Sequence, residues 1–599
     1  MCRSNFDLSL GPIHNSWFGG GVTNIAWNCI EANIEQGRGE QTAFIWEGNS
    51  PEEQGKITYS ELQTEVNKLA NWLKSVDVRA GDRVVIYLPM LLQLPVAMLA
   101  CARIGAVHSV VFAGFSAESL SQRILDCESS VVLTCDAVLR GSKLINLKEI
   151  VDKALNLCTS QGFEVHHCLC VKNYRLPELS LQLTHGRDKI WHEAISAMSS
   201  QCETEWLDAD SPLFMLYTSG STGKPKGVVH CTGGYMVYAA TTTKYVFDLS
   251  PGDVFWCTAD CGWITGHTYL TYGPLLNGAT SVVFEGIPNF PDHGRCWEIV
   301  DKYGVQVFYT APTLLRSLQR EGDDIVRRHS RKTLRVLGSV GEPINPEAWR
   351  WYHEVVGDAC CPIVDTWWQT ETGGHLLTPL PGIFKEKPGC ATLPFFGIEP
   401  ALLDTDGNVL TGEAEGLLCF KRSWPSIMIT IHGDHSRYED AYFAPYKGYY
   451  FSGDGARRDA DGYYWITGRV DDVINVSGHR IGSAEVESAL VSHPHCTEAA
   501  VVGFDHDIKG QAIYAYVTLV HGVRCDDDLK KELVNCVRNA IGPFATPDII
   551  HWTSGLPKTR SGKIMRRILR KIANKDLNNM GDISTLADPS IVESLISTR

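Results

Sequence analysis

The chain has 599 residues, 44% of them hydrophobic and 21% charged, and a formal net charge of −15. That length exceeds a single hydrophobic core and implies two or more domains of an ordinary globular protein. The acidic balance argues against general affinity for nucleic acid or an anionic membrane, and 20 cysteines without disulfide-framework spacing point to a reducing compartment, the cytoplasm or the cytoplasm with the nucleus.

The opening "MCRSNFDLSLGPIHNSWFGGG" has no apolar core for a signal peptide and little arginine for a transit peptide. Residues 84–102 have the length of a membrane span, but Pro89, Gln93 and Pro95 interrupt them. Strand "RVVIYLP", helix "LLQLPVAMLACARIG" and strand "AVHSVVFAG" make a βαβ unit instead. "EVHHCLC" puts His166, Cys168 and Cys170 on one strand face, without the second ligand pair that a metal cluster would need.

Between the apolar runs "LFML" and "VVH" lies "YTSGSTGKPKG", Tyr217 to Gly227. Its glycines permit positive φ and close approach to a ligand, and its successive N–H groups form an anion nest. It is no P-loop: Lys224 precedes Pro225, and Thr218 stands where the first glycine belongs. Pro225 disfavours a helix at Lys224, so the segment reads as strand, loop and returning strand over a triphosphate. Cys257 and Cys261 follow, with no paired base to make either a nucleophile.

Residues 57–400 alternate β-branched runs ("SSVVLTCDAV", "ATSVVFEGI", "VQVFYTA", "TLRVLGSV") with helical patterns, which implies an α/β architecture of largely parallel sheets. Two more strand-loop segments repeat the polar theme: "LGSVGEPIN" and "VDTWWQTETGG". Gly341, Gly373 and Gly374 admit close backbone approach, and Glu371 suits Mg²⁺ beside a triphosphate. Residues 400–470 turn β-rich, with hairpins at Asp406-Gly407 and Asp461-Gly462. A seam at "GRVDDVINVSG", headed by Asp471, divides a large domain (1–470) from a small α+β domain (471–599). In the latter "SAEVESALVSH" and "DDLKKELVNCVRNAIG" read as helices, the second with Leu529, Leu533, Val537 and Ile541 on one face. A closing helix from "SGKIMRRILRKIANK" aligns Ile564, Ile568 and Ile572. Its basic run Lys558–Lys571 suggests nucleic-acid binding in isolation, a reading opposed by the overall acidity and by that apolar face.

"YTSGSTGKPKG", "SVGEPIN", "DTWWQTETGG", "YYFSGDG", "GRVDDVINVSGHRIG" and "LPKTRSGKIMRR" together resemble the adenylate-forming superfamily of acyl-CoA synthetases. "CTADCGWITGHTYLTYGPL", "FYTAPT" and "GDISTLADPS" extend the likeness to its acetate-activating members, with propionate activation as the nearest alternative. The likeness runs from about residue 17 to near the C-terminus.

The resemblance implies a large α/β domain with a β-rich subdomain, and a small mobile α+β domain pivoting near Asp471. It implies ATP (with Mg²⁺), acetate and CoA as substrates, an acyl-adenylate intermediate, and AMP and pyrophosphate as products. By motif, Thr218, Ser219, Gly220, Ser221, Thr222, Gly223 and Lys224 hold the β,γ-phosphates. Gly341, Glu342, Pro343, Asp365, Thr366, Trp367, Trp368, Gln369 and Thr370 wrap the nucleotide; Asp454 takes the ribose hydroxyls beside Arg469, and Arg480 meets phosphate. For CoA the likeness points to Arg140, Gly141, Ser142, Lys143, Thr265, Asn289, Ser477 and Arg538. Trp263, Ile264, Thr265, Val340 and Trp368 form a small acyl chamber, which Trp368 closes. Metal contacts fall to Glu371 and to backbone oxygens of Val491, His493 and Cys496.

The resemblance also implies that Lys563 and Asp471 carry the catalysis: Lys563 would serve adenylation, and the pivot would exchange it for "VSGHRIG" in thioester formation. A lysine acetyltransferase and deacetylase acting on Lys563 are the implied protein partners. The chain departs from the family at Ile429, usually Arg, at Ser426, usually Gly, and in its short N-terminal lead.

Overall fold

The computed structural model describes residues 3–173, 181–218, 226–476, 479–506, 510–559, 562–577, 580, 583 and 586–599. The 84–102 stretch is the expected βαβ unit. Parallel strands Arg83–Tyr87 and Val107–Val110 flank the helix Gln93–Arg103, whose 11 residues are too few to cross a bilayer. No helix among the described residues is long and apolar enough for that.

Two large sheets follow from such units. One runs Asp188–Ile190, His167–Val171, Val131–Cys135, Arg83–Tyr87, Val107–Val110, Pro212–Thr218, Lys226–Cys231, Thr430–Ile431. It is parallel up to Pro212–Thr218 and antiparallel beyond. Strand His167–Val171 lies next to the edge strand, with Cys168 and Cys170 buried and His166 exposed just before it, so the three do not share one strand face.

The other sheet orders Ile363–Asp365, Val336–Ser339, Val307–Thr310, Val254–Cys257, Thr280–Phe284, Thr42–Glu47 and Gln54–Thr58, parallel except for the last pair. The glycine-rich stretch after residue 400 forms a five-stranded antiparallel sheet that includes Tyr450–Arg458 and Tyr464–Arg469. Gly407 and Gly462 take positive φ at its hairpins, 86° and 84°, which only glycine adopts without cost.

The smaller C-terminal domain is a sheet with helices on both faces. Alternation along its long strands sends Val501, Ile513, Ala515 and Val517 to one core, beneath Ser483–Val491 and Asp527–Ala540. Ala500, Val502, Tyr514 and Tyr516 turn to the other, beneath Arg566–Ala573 and Ser590–Ser597. This is the period-2 rule of a sheet buried on both sides.

The expected closing helix needs correction at its start. It begins at Arg566, and Ile564 instead bridges to Lys558. Gly562 takes φ 87°, and the Thr559 N–H donates to the Lys563 carbonyl at 2.8 Å, so the chain closes a turn before it can coil. Ile568 and Ile572 keep the apolar face and are fully buried. Three members of the basic run form ion pairs, Lys558 with Glu498, Arg566 with Glu487 and Arg570 with Asp472.

Leu533 is fully buried between helix and sheet. Leu533→Ala is expected to destabilise the small domain by about 2–5 kcal/mol, read as faster amide hydrogen exchange along Ile513–Val517. Unchanged exchange there would mean that this core does not hold the domain together.

Candidate active site

Thr310, Ser339 and Asp365 end three neighbouring parallel strands in register. The loops that leave them, "APT", "VGEP" and "TWWQTETGG", therefore open side by side at one sheet edge. Carboxyl ends of parallel strands are where open α/β sheets bind ligands. A fourth segment arrives from the first large sheet: Thr218 pairs with Lys226 across an antiparallel ladder. This is the expected strand, loop and return, although Ser219 to Lys224 lie outside the described residues.

Gly341 takes φ 94°. Glu342 beside it accepts the Thr313 backbone N–H at 2.7 Å and the Thr313 hydroxyl, and pairs with Arg316 at 3.0 Å. Burial pushes this carboxyl up, but Arg316 and Thr313 outweigh it and hold it below the usual glutamate range. Pro343 is exposed at the loop's edge. Asp365 is buried, and with no opposing charge burial raises its carboxyl to about 7.

The loop after Asp365 is pinned residue by residue. Thr366 donates to the Ser339 carbonyl at 2.9 Å. Trp367 stacks on Phe420 with ring centroids 5.6 Å apart. Gln369 donates to the Ser452 carbonyl at 2.8 Å and to Asp454 at 2.7 Å, and the Thr370 carbonyl meets His230 Nε2 at 2.7 Å. Glu371 accepts the Tyr442 hydroxyl at 2.6 Å, and Lys226 stands 5.0 Å over the Tyr442 ring.

Asp454 lies buried under these groups. Burial raises its carboxyl, against the pull of Arg469, of Lys563, and of hydrogen bonds from Trp367 and Gln369. Arg469 is 3.6 Å from Asp454 and donates to the Ser452 carbonyl at 3.1 Å. A Cβ on Gly453 would fall 2.7 Å from that guanidinium, so only glycine lets the arginine lie there.

Lys563 comes to the same place from the small domain. Water reaches its side chain, but protein crowds the cleft around it. That crowding and the nearby Arg469 lower its pKa, against Asp454, Glu371 and Asp472, which favour the ammonium. Its turn rests on the large domain at Thr313, whose methyl would lie 3.2 Å from a Cβ on Gly562. Asp471 falls in the 3-10 turn Val470–Asp472 and Arg480 in the strand His479–Gly482. The side chains of both lie outside the described residues, as does Ser477.

The acyl-chamber residues collect beside the same strand ends. Val340 is buried, with its N–H on the Thr310 carbonyl at 3.0 Å. Ile264 and Thr265 begin a helical stretch running to Leu276. One turn further along it, the Tyr269 ring meets Trp368 edge-on at 5.0 Å. Trp263 packs against Phe112 and Phe115, 6.1 Å from each. Burial pushes the nearby Cys257 thiol up to about 12, which removes it as a nucleophile.

Arg140 lies 5.9 Å over Phe112 and so joins that aromatic group. Gly141 exchanges hydrogen bonds with Asn49, donating at 2.7 Å and accepting at 2.9 Å, while Ser142 and Lys143 are exposed at the hairpin tip. Gly141 faces Ile287, two residues from the exposed Asn289. Arg538 stands exposed in the last turn of Asp527–Ala540.

Val491, His493 and Cys496 form a separate group. His493 is 3.1 Å from Glu532, and its carbonyl accepts the Cys496 N–H at 2.9 Å. Burial raises the Cys496 thiol to about 12. No cluster of three or more His, Cys, Asp and Glu side chains able to hold a metal occurs among the described residues.

Sequence reasoning missed Tyr309, Thr313, Arg316, Lys226 and Tyr442. "FYTAPTLLR" directly after a parallel strand carried the signal for the first three.

Residues 30–429 match the model for AMP-binding enzymes, and residues 485–563 that for the AMP-binding enzyme C-terminal domain. The chain is 64% identical over 594 residues to acetyl-coenzyme A synthetase, chloroplastic/glyoxysomal, of Arabidopsis thaliana, covering 99% of this chain and 80% of that protein. It is 58% identical over 595 residues to acetyl-coenzyme A synthetase of Bradyrhizobium diazoefficiens, covering 99% and 91%. To the protein of that name from Rhizobium meliloti it is 59% identical over 589 residues, covering 98% and 90%. With both domain models matched in order and these relatives aligned along nearly its whole length, the chain belongs to the AMP-binding enzyme family.

Proposed function

We propose that the chain is an AMP-forming acetate–CoA ligase, converting ATP, acetate and CoA to acetyl-CoA, AMP and pyrophosphate. The observation that carries this reading is the seating of the Lys563 turn on Thr313 beside the nucleotide loops, within electrostatic reach of Asp454, Arg469 and Glu371.

An acetate oxygen attacks the α-phosphorus, the bond to the β-phosphate bridge breaks, and pyrophosphate leaves. Charge builds on a site already rich in phosphate, so catalysis is positioning and electrostatic stabilisation. Asp454 holds the ribose, the 341–343 and 365–370 loops the nucleotide, and Thr218 to Lys224 with Arg480 the phosphates. Lys563 brings a compact, mobile cation to the reacting oxygens. Glu371, with a carboxylate oxygen beyond the one facing Tyr442, is a hard donor that would hold Mg²⁺ beside ATP, and the carbonyls of Val491, His493 and Cys496 would hold a second such ion in the small domain. Bound with ATP, the ion at Glu371 would neutralise phosphate charge.

In the second step the CoA sulfur attacks the acyl carbon, the anhydride C–O bond breaks, AMP departs and the thiol proton passes to solvent. Residues 140–143, Thr265, Asn289, Ser477 and Arg538 serve CoA. The small domain, residues 471–599, turns about Asp471 between the two steps, a hinge motion of known kind. Acetylation of Lys563 by an acetyltransferase removes the charge that the first step needs, and deacetylation restores it. The described cysteines are free thiols, which favours the reducing cytoplasm or nucleus as the compartment.

Wild type is expected to catalyse acetate-dependent ATP–pyrophosphate exchange without CoA. Lys563→Ala is expected to lower that exchange about 10²-fold or more, the scale for one preorganised electrostatic contact, while converting supplied acetyl-adenylate and CoA at near wild-type rate. Equal loss of both half-reactions in a folded variant would refute the assignment.

Trp368→Gly is expected to move preference from acetate toward butyrate. One methylene in an open pocket changes specificity by only about 1–3 kcal/mol, whereas an indole wall excludes by contact. If the variant selects acetate over butyrate as wild type does, Trp368 is not the wall.

A further inference from the structure

The Tyr309 hydroxyl stands at the centre of a buried network with one consistent set of protons. Thr366 Oγ1 lies 2.9 Å from the Ser339 carbonyl, which can only accept, so the threonine proton goes there. Tyr309, 2.7 Å from the same Oγ1, must then donate to it. The Tyr309 oxygen is left as an acceptor, and two groups approach it: Trp368 Nε1–H at 3.3 Å and His375 Nε2 at 3.0 Å. His375 therefore carries its proton on Nε2, and its Nδ1 is bare and meets no donor among the described residues. Burial keeps this imidazole neutral, as the assignment requires.

The ring supports are equally determined. His375 stacks on Tyr269 at 4.0 Å, and its backbone N–H donates to the Tyr269 hydroxyl at 2.9 Å. Tyr269 in turn meets the Trp368 indole edge-on, with the ring planes at 89°. Tyr309, Tyr269 and His375 are fully buried, whereas Trp368 is only partly so. The indole is thus the partly open member of this cluster, and its only polar atom is held by a buried hydroxyl.

We infer that Tyr309 is a positioning residue for acyl-chain length: its hydroxyl holds the Trp368 indole in the rotamer that closes the chamber. Through Thr366 and Ser339 it ties that wall to the nucleotide loop and to Val340. A tryptophan held by packing alone can swing, and a wall that swings admits a longer chain. The inference rests on Trp368 being the acyl wall.

Tyr309→Phe keeps the ring and removes the hydroxyl. The readout is kcat/KM for acetate and for butyrate in ATP–pyrophosphate exchange, in wild-type and Trp368→Gly backgrounds. The butyrate-to-acetate ratio is expected to rise about fivefold in the wild-type background, the scale of one lost hydrogen bond, and not to change once the indole is gone. If Trp368→Gly shifts the ratio but Tyr309→Phe does not, Tyr309 does not position the wall. Equal losses for both acids would show general damage and overturn the inference as well. If Trp368→Gly itself leaves the ratio alone, the pocket reading falls and the inference with it. Should Tyr309→Phe fail to fold, Thr366→Val, which removes the acceptor that orients the hydroxyl, carries the same expected direction and the same refutation.

Discussion

The placement of one ammonium governs the structure. Lys563 belongs to the small domain, yet of the charges that act on it Asp454, Arg469 and Glu371 belong to the large one, with Asp472 at the seam. A cation held on the same rigid sheet as those groups would be present in every state of the enzyme. On a separate body it is present only when the two domains dock in one arrangement. The docking shown here is local and specific. The turn carrying Lys563 rests on Thr313 through a glycine, and Thr313 is clamped by Glu342 of the nucleotide loop. The loop proposed to receive ATP therefore shapes the seat of the lysine proposed to act on it.

The remaining architecture supplies rigidity where that charge is used. Three strands ending in register fix the origins of three loops to within a strand spacing of about 4.8 Å. Hydrogen bonds from Thr366, Gln369 and Tyr442 then fix the loops themselves. Behind the acyl chamber the support is aromatic and neutral. Tyr269, Tyr309 and His375 are fully buried, and a charged group there would lack the solvation or partner it needs. The two halves of the site thus differ in kind: a charged mouth suited to phosphate, and an uncharged wall suited to a methyl group.

Much of this was legible in the sequence, for identifiable reasons. Glycine, hydroxyl and acid clusters after β-branched runs can only be loops at strand ends, and parallel strands bring such ends together. Pro225 after Lys224 gave the strand-and-return form, and the ladder between Thr218 and Lys226 agrees. The four-residue spacing of Leu529, Leu533, Val537 and Ile541 gave a helix face; the first three are buried, and Ile541, just past the helix end, is partly buried against the same core. What was not legible depends on partners distant in sequence. Ile564 has the periodicity of the helix behind it but is withheld by a turn whose bonds lie at Thr559 and Gly562. Tyr309 looks like any strand aromatic until Trp368, Thr366 and His375 are seen around its hydroxyl. Arg316 reads as a solvated helix charge until Glu342, 26 residues on, is found beside it.

The central claim is that this docking serves adenylation and must be released for thioester formation. A Cβ on Gly562 would lie 3.4 Å from the Thr313 Cβ, close to the separations of about 3.5–4.5 Å that a disulfide spans. In a Thr313→Cys, Gly562→Cys protein, oxidation would lock the two domains in the arrangement described. The measurement is the rate of acetyl-CoA formation from supplied acetyl-adenylate and CoA, compared between oxidised and reduced protein, with acetate-dependent pyrophosphate exchange as the internal reference. The account predicts that oxidation abolishes thioester formation, preserves exchange, and is reversed by dithiothreitol. Thioester formation by the oxidised protein at the reduced rate would contradict it.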